Sequence, residues 1–355
     1  MKAWENKIRR VTPYVPGEQP AIEGMIKLNT NENPYPPAPG VEKVLKNMNT
    51  DLLRLYPDPT IGALVGELAS FYKLEKDQIF VGVGSDDVLA TCFLTFFNSD
   101  KPVLFPDITY SFYPVWCELY RIPYASQPLD DKFCIVKEDY YKENGGIVIA
   151  NPNAPTSIYA DLELIEDIVR HNQDSIVIID EAYIDYAGKP SAIELINKYD
   201  NLVVVQTFSK ARSMAGMRIG YAMANPELIK ALNDVKYSIN SYTLNHTAIL
   251  AGVEAVKDEE YFRENIRKVV VTRKRTEEHL AELGFIFSKS SANFIFASHK
   301  NIPAVQIFNA LRNSNIFVRY FNLPRINNYL RISIGRDEEM DKVMAFLRDY
   351  MESYF

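Results

Sequence analysis

The chain has 355 residues, of which 47% are hydrophobic and 24% charged, and its formal net charge is -7. That length fits a large domain with a smaller one attached better than a single compact core, and the composition excludes a disordered or fibrous chain. Lysines and arginines are scattered through both halves, which excludes a basic face for nucleic acid or an anionic membrane, although a few convergent arginines can still hold a small anion.

Residues 1–30 carry Pro13, Pro16, Gly17 and Pro20 without a convincing period, and they are expected to wrap over the body as an N-terminal arm. The first ten residues are polar and lack the apolar stretch of a signal peptide. No run approaches the roughly 20 apolar residues that cross a bilayer, so a cytoplasmic protein without a membrane partner is expected. Residues 31–39 are rich in proline and read as rigid, irregular chain. Between 79 and 223, short runs of Val and Ile alternate with amphipathic stretches, as buried parallel strands with crossover helices do. The pattern predicts strands at 79–83, 102–105, 147–150, 176–179, 202–206 and 218–223, with helices over 86–97 and 162–170. Residues 31–245 are therefore expected to form a large α/β domain around a mostly parallel sheet.

Beyond residue 225 the texture changes. A helix is predicted over 226–236, followed by a nearly continuous helical pattern over 247–283 that ends at Gly284, a natural C-cap. Half-buried strands at 294–297 and 329–334 flank a predicted helix over 302–313. The last helix, 337–355, places Met340, Val343, Met344, Phe346 and Leu347 on one apolar side. Residues 246–355 are expected to form a smaller α+β domain. Cys92, Cys117 and Cys134 lack C-x-x-C spacing and a nearby histidine pattern, so they read as structural thiols in a reducing compartment and no metal site is expected. His246 has no supporting triad order and reads as structural.

Three strand ends carry chemistry. Thr207-Phe208-Ser209-Lys210 directly follows the strand at 202–206, with Arg218 eight residues after the lysine. Open α/β sheets bind ligands at the carboxyl ends of their strands, and an amine placed there can condense with a carbonyl. Alone, a loop lysine is an ordinary exposed charge. Asp180-Glu181-Ala182-Tyr183 ends the strand at 176–179; a carboxylate there could pair with a ring nitrogen, or equally cap the chain that follows. Gly82-Val83-Gly84-Ser85-Asp86-Asp87 turns from strand into helix, where free backbone N–H groups can bind phosphate. It lacks the spacing of a dinucleotide fingerprint and the end of a Walker loop, and its acids would repel a polyphosphate. A single phosphate held with Ser85, Ser209 and Arg218 remains compatible.

Together with Leu28-Asn29-Thr30-Asn31-Glu32-Asn33-Pro34, Leu55-Tyr56-Pro57, Asn151-Pro152-Asn153-Ala154-Pro155-Thr156 and Leu330-Arg331-Ile332-Ser333-Ile334-Gly335, these motifs resemble a fold-type I pyridoxal-phosphate (PLP) aminotransferase over essentially the full length. Within that superfamily the chain most resembles the histidinol-phosphate aminotransferases. The resemblance implies a PLP-binding large domain with Lys210 as the Schiff-base lysine, Asp180 as the pyridine partner and Tyr183 as donor to the phenolic oxygen. It implies Tyr110 stacked on the ring, a phosphate cup of Ser209, Arg218 and the amides of Ser85 and Asp86, and a homodimer in which Tyr56 reaches the neighbouring subunit's site. Members often have two adjacent asparagines before Pro-Thr-Gly, the second touching the phenolic oxygen. Here Ala154 stands in that second place and cannot donate, so either Asn153 is expected to turn inward instead, or Tyr183 and water do its work.

By the same resemblance, Arg319 and Arg331 would hold the phosphate of L-histidinol phosphate and the carboxylates of L-glutamate and 2-oxoglutarate, with Tyr14 closing from the arm. An interdomain salt bridge is the alternative role for either arginine. The competing activities are an aromatic amino acid aminotransferase and a PLP-dependent phospho-amino-acid decarboxylase, since an arginine pair accepts either anion. A catalytically silent binding protein would leave Lys210, Asp180, Tyr183 and the phosphate turn without a reason to occur together.

Overall fold

Strands that are apolar on both faces need cover on both sides, and the helices between them supply it. The computed structural model describes residues 2–354. In chain order, β1 (Ile26–Lys27) precedes α1 (Pro39–Lys46) and α2 (Gly62–Tyr72). There follow β2 (Ile79–Gly82), α3 (Ser85–Phe96), β3 (Val103–Pro106), α4 (Phe112–Tyr120), β4 (Tyr124–Gln127), β5 (Gly146–Ala150), α5 (Leu162–His171), β6 (Val177–Asp180), β7 (Leu202–Thr207) and β8 (Gly220–Ala224). The remainder comprises α6 (Pro226–Ile239), α7 (His246–Lys257), α8 (Glu259–Glu282), β9 (Phe285–Phe287), β10 (Phe294–His299), α9 (Ala304–Asn313), β11 (Ile316–Phe317), β12 (Arg319–Tyr320), β13 (Leu330–Ser333) and α10 (Asp337–Tyr354). The predicted last residue of the final helix, Phe355, lies outside the described residues.

The large sheet has the order β2-β8-β7-β6-β5-β3-β4, and β8 alone runs antiparallel to its neighbours. All residues of β5, β6, β7 and β8 are buried. Alternation along each strand divides them between two cores: Ile147, Ile149, Ile179 and Val204 face one side, while Val148, Ile178, Val203 and Val205 face the other. This is the α/β architecture with a mostly parallel sheet that the sequence predicts. A second sheet, β12-β13-β10-β9, is antiparallel and covers a third core with α9 and α10.

Three features depart from the sequence reading. The helical pattern over 247–283 is two helices, because Asp258 ends α7 and its side chain accepts from the Tyr261 N–H at 3.1 Å to start α8. Ala248, Ile249, Ala251, Ala255 and Val256 of α7 lie in the core of the large sheet, although they follow residue 246. The end of the N-terminal arm is not loose cover: β1 pairs in parallel with β11, and Ile26 and Leu28 join the core of the smaller lobe. Among the described residues, no helix is long and apolar enough to cross a membrane, and no group of three or more His, Cys, Asp or Glu residues could hold a metal ion.

Candidate active site

The carboxyl ends of β2, β6 and β7 open on one cavity of about 460 Å³. Lys210, Asp180, Tyr183, Ser85, Asp86, Tyr110, Ser209, Arg218, Tyr14, Arg319 and Arg331 all line it. Residues from both lobes and the arm thus meet where the strand order places a ligand. Of the residues singled out from sequence, Asn153 and Tyr56 are not in this lining.

Lys210 projects just beyond β7. Its Nζ donates to the Thr30 carbonyl at 3.0 Å and sits 5.8 Å from the centre of the Tyr183 ring. Asp180, the last residue of β6, is 5% exposed. Its Oδ2 accepts from the Tyr113 hydroxyl at 2.8 Å and its Oδ1 from the Ala182 N–H at 3.3 Å. Burial pushes the Asp180 carboxyl up to about 6, against the opposing pull of the Tyr113 and Ala182 hydrogen bonds. A desolvated carboxylate of this kind fits a ligand that brings its own positive charge.

The anion cup comes from local backbone geometry. Gly84 has φ +85°, which aims the first turn of α3 into the cavity. Ser209 Oγ accepts from Thr207 Oγ1 at 3.0 Å, which leaves its own proton to give. Of the two acids next to the turn, Asp87 is turned aside, whereas Asp86 lines the cavity with its charge engaged by neighbours. Asp87 Oδ2 accepts from the Val83 N–H at 2.8 Å, while Asp86 accepts from the Tyr110 hydroxyl at 2.8 Å and lies 3.5 Å from Arg218 Nη2. Gly220 lets β8 press against this turn, since a Cβ there would collide with the Gly84 carbonyl carbon and the Ser85 nitrogen. Gly220→Ala is expected to cost about 1–3 kcal/mol of stability by overpacking, with phosphate affinity falling as the turn is displaced. Thermal melting and a titration with inorganic phosphate would check both effects; an unchanged melting point would contradict the packing.

At the opposite end, Arg319 and Arg331 are direct cross-strand partners on β12 and β13. Like charges so placed repel unless an anion lies between them. Both guanidinium groups lie 5.6 Å from the Phe321 ring centre, and Arg331 is also 5.4 Å from that of Phe294. Arg331 Nη2 donates to the Asn29 carbonyl at 2.8 Å, yet its buried Nε has no partner. Burial, with the charge of Arg319 adding to it, pulls Arg331 below the ordinary arginine range. Tyr14 stacks on Phe112 with centroids 4.2 Å apart and stands 6.2 Å from Tyr110.

The expectation that Asn153 turns inward is not met. Its Oδ1 accepts from Thr109 Oγ1 at 2.8 Å, and its Nδ2 donates to the Ile108 carbonyl at 2.9 Å and to Thr156 Oγ1 at 3.0 Å. Both of its donor protons are spent on holding the loop, and Ala154 faces the cavity in its stead. Tyr56 is 78% exposed and stacks on Tyr242 at 4.4 Å. The structure also brings in groups that sequence reasoning passed over: Thr30 at Lys210, Tyr113 at Asp180, Phe321 beneath both arginines, and Asn31, whose Nδ2 donates to the Tyr183 hydroxyl at 3.0 Å. The motif 28–34 pointed to the first and last of these without giving them roles.

The residues present fit pyridoxal phosphate: a cup for one phosphate, a buried carboxylate for a cationic ring nitrogen, and a lysine for an aldehyde. A family model described as aminotransferase class I and II matches residues 23–347. A histidinol-phosphate aminotransferase of Brachyspira hyodysenteriae is 52% identical over 336 residues, covering 95% of each chain. That of Lactococcus lactis subsp. cremoris is 50% identical over 351 residues, covering 99% of this chain and 98% of that one. The crystal structure of histidinol-phosphate aminotransferase from Sinorhizobium meliloti in complex with pyridoxal-5'-phosphate shares the fold, with a TM-score of 0.83 and 23% identity over 93% of this chain and 92% of that one.

Proposed function

The chain belongs to the histidinol-phosphate aminotransferase family, within the class I and II aminotransferases, and on that footing we propose how its own residues carry out the family's reaction. It is a PLP-dependent transaminase of histidine biosynthesis that interconverts L-histidinol phosphate and 2-oxoglutarate with imidazole acetol phosphate and L-glutamate. The observation that carries the substrate reading is the facing pair Arg319 and Arg331, with an unpartnered buried Nε, in the same cavity as Lys210.

When bound, the cofactor supplies an aldehyde that captures the substrate amine and a ring that accepts the electron pair released at Cα. The amides of Ser85 and Asp86, with Ser209 and Arg218, would hold its phosphate, and Tyr110 would stack on the ring. The Asp180 carboxylate would keep the ring nitrogen protonated, while Tyr183 would donate to the phenolic oxygen. Lys210, which lines the same cavity as the phosphate cup and the arginine pair, would hold the aldehyde at rest and, once displaced by the substrate amine, would be the base that moves the substrate's Cα proton. Arg319 and Arg331 bind the substrate phosphate in one half of the cycle and the carboxylates of L-glutamate and 2-oxoglutarate in the other. Tyr14, from the arm of residues 1–30, closes over that end.

The active unit is a homodimer. Tyr56 lies outside its own cavity and is exposed beside Leu53, Leu55 and Tyr242, so the pairing of two copies would bury this apolar edge and bring Tyr56 to the neighbouring phosphate cup.

Comparing amino transfer from L-histidinol phosphate and phenylalanine with decarboxylation of threonine phosphate tests the reading. The highest kcat/KM is expected with L-histidinol phosphate, and a preference for either other substrate would overturn it. Arg331→Ala is expected to raise KM for L-histidinol phosphate by about 10- to 100-fold, the worth of a charge-assisted hydrogen bond of about 1.5–3 kcal/mol, with a smaller change in kcat. An unchanged KM would remove Arg331 from the anion site.

A further inference from the structure

Three consecutive residues of the N-terminal segment converge on the reacting groups. The Asn29 carbonyl accepts from Arg331 at 2.8 Å, the Thr30 carbonyl accepts from Lys210 at 3.0 Å, and the Asn31 amide donates to the Tyr183 hydroxyl at 3.0 Å. Asn31 is 1% exposed and lies in the left-handed region, φ 56°, which asparagine tolerates better than most residues. It is clamped on every side. Its backbone N–H donates to Ser333 Oγ at 3.0 Å, its Oδ1 accepts from that same oxygen at 2.8 Å, and its carbonyl accepts from Asn293 Nδ2 at 3.0 Å.

The clamp sets a direction. Ser333 Oγ receives the Asn31 backbone proton and gives its own to Oδ1, which leaves Nδ2 as the amide atom on the Tyr183 side. Nδ2 then faces Tyr183 and can only donate. A hydroxyl that accepts at this point has its own proton available for the cavity. Ala154 has no side-chain donor with which to compete.

We propose that Asn31 is a positioning residue that makes the Tyr183 hydroxyl a one-way donor into the cavity, with Ser333 of β13 locking the orientation of its amide. The inference rests on the reading of Tyr183 as donor to the cofactor's phenolic oxygen. Because β13 also carries Arg331, two residues before Ser333 and on the same face, the clamp ties the anion-binding strand to the group that tunes the cofactor. The charged and titratable groups facing Tyr183 are Lys210, Arg331, Tyr14, Tyr110, Tyr113 and Tyr186. A change confined to Asn31 leaves all six in place.

The test is a pH titration of the visible absorption of the cofactor-loaded protein. A proton donated to the phenolic oxygen stabilises its unprotonated form and lowers the titration midpoint, so Tyr183→Phe raises it. Asn31→Asp has the same shape but no donor, so Tyr183 turns its proton toward residue 31 and the midpoint rises by about one pH unit, equivalent to about 1.4 kcal/mol and within the worth of one hydrogen bond. The added charge could raise the midpoint by itself, so the deciding comparison is made in the Tyr183→Phe background. There the Asn31→Asp shift vanishes if Asn31 acts through Tyr183. Asn31→Gly keeps the backbone conformation without adding charge and guards against a misfolded variant; its smaller upward shift vanishes in the same background. A shift that persists without the Tyr183 hydroxyl, or no shift from either Asn31 variant where Tyr183→Phe gives one, overturns the inference. If Tyr183→Phe itself leaves the midpoint unmoved, the assignment of Tyr183 falls and the inference falls with it.

Discussion

Replacing Lys210 by alanine is expected to lower turnover of L-histidinol phosphate by at least about 10⁴-fold while the fold persists. The lysine has two tasks at one place. In the proposed mechanism it would hold the cofactor aldehyde and would also move the substrate's Cα proton, a role worth about 10²–10⁴-fold by itself in general acid–base catalysis. No neighbour can take over. Thr30, which accepts from Lys210 Nζ, offers only a carbonyl, and the ring of Tyr183 lies 5.8 Å from that nitrogen. Steady-state and single-turnover rates, with a melting curve on the same sample, check this outcome. Turnover within tenfold of the parent would contradict it.

Asp180→Asn is expected to inactivate the enzyme and stabilise the cofactor-free chain at once. An amide carries no charge to keep the ring nitrogen protonated, and removing one partner of a buried charge pair costs about 3–5 kcal/mol, which corresponds to a loss of roughly 10²- to 10⁴-fold in the catalytic step. Stability moves the other way because the Asp180 carboxyl is pushed up to about 6 by burial. In the cofactor-free chain the folded state therefore binds this proton more tightly than the unfolded state, and stability falls as pH rises from about 4 to about 6. Above that window the full burden of about 3 kcal/mol is present; below pH 4 it is absent. Asparagine keeps an acceptor for the Tyr113 hydroxyl and has nothing to ionise. The variant is thus expected to melt above the parent at pH 8 and beside it at pH 4. An equal difference at both pH values would show that ionisation of Asp180 is not the cause.

Much of the central sheet was legible because its strands are apolar on both faces and are separated by helices with clear periodicity. The ends of β6 and β7 delivered Asp180 and Lys210 where the pattern placed them. The edge strand β4 escaped notice because its residues alternate between exposure and burial and include Ser126 and Gln127. The start of α4 was obscured by Phe112-Tyr113-Pro114, an aromatic run with a proline that suits a first turn but weakens any periodic signal.

Within the site, residues whose work is done by one strand end could be read locally. Those defined by partners far along the chain could not. Tyr113 meets Asp180 across 67 positions and Asn31 meets Tyr183 across 152. The misplacement of Asn153 has the same origin: a loop asparagine can serve the loop or the cavity, and only the positions of Thr109, Ile108 and Thr156 decide which. The break at Asp258 was concealed by apolar spacing that continues through it, whereas the cap that makes the break is a single side chain.

The most direct test is to reduce the cofactor-loaded protein with borohydride and map the modified residue by peptide mass spectrometry. Modification is expected on the peptide containing Lys210, with the visible absorption lost in proportion. A stable adduct on a different lysine, or none on any, would contradict the placement of the aldehyde-binding group at the end of β7.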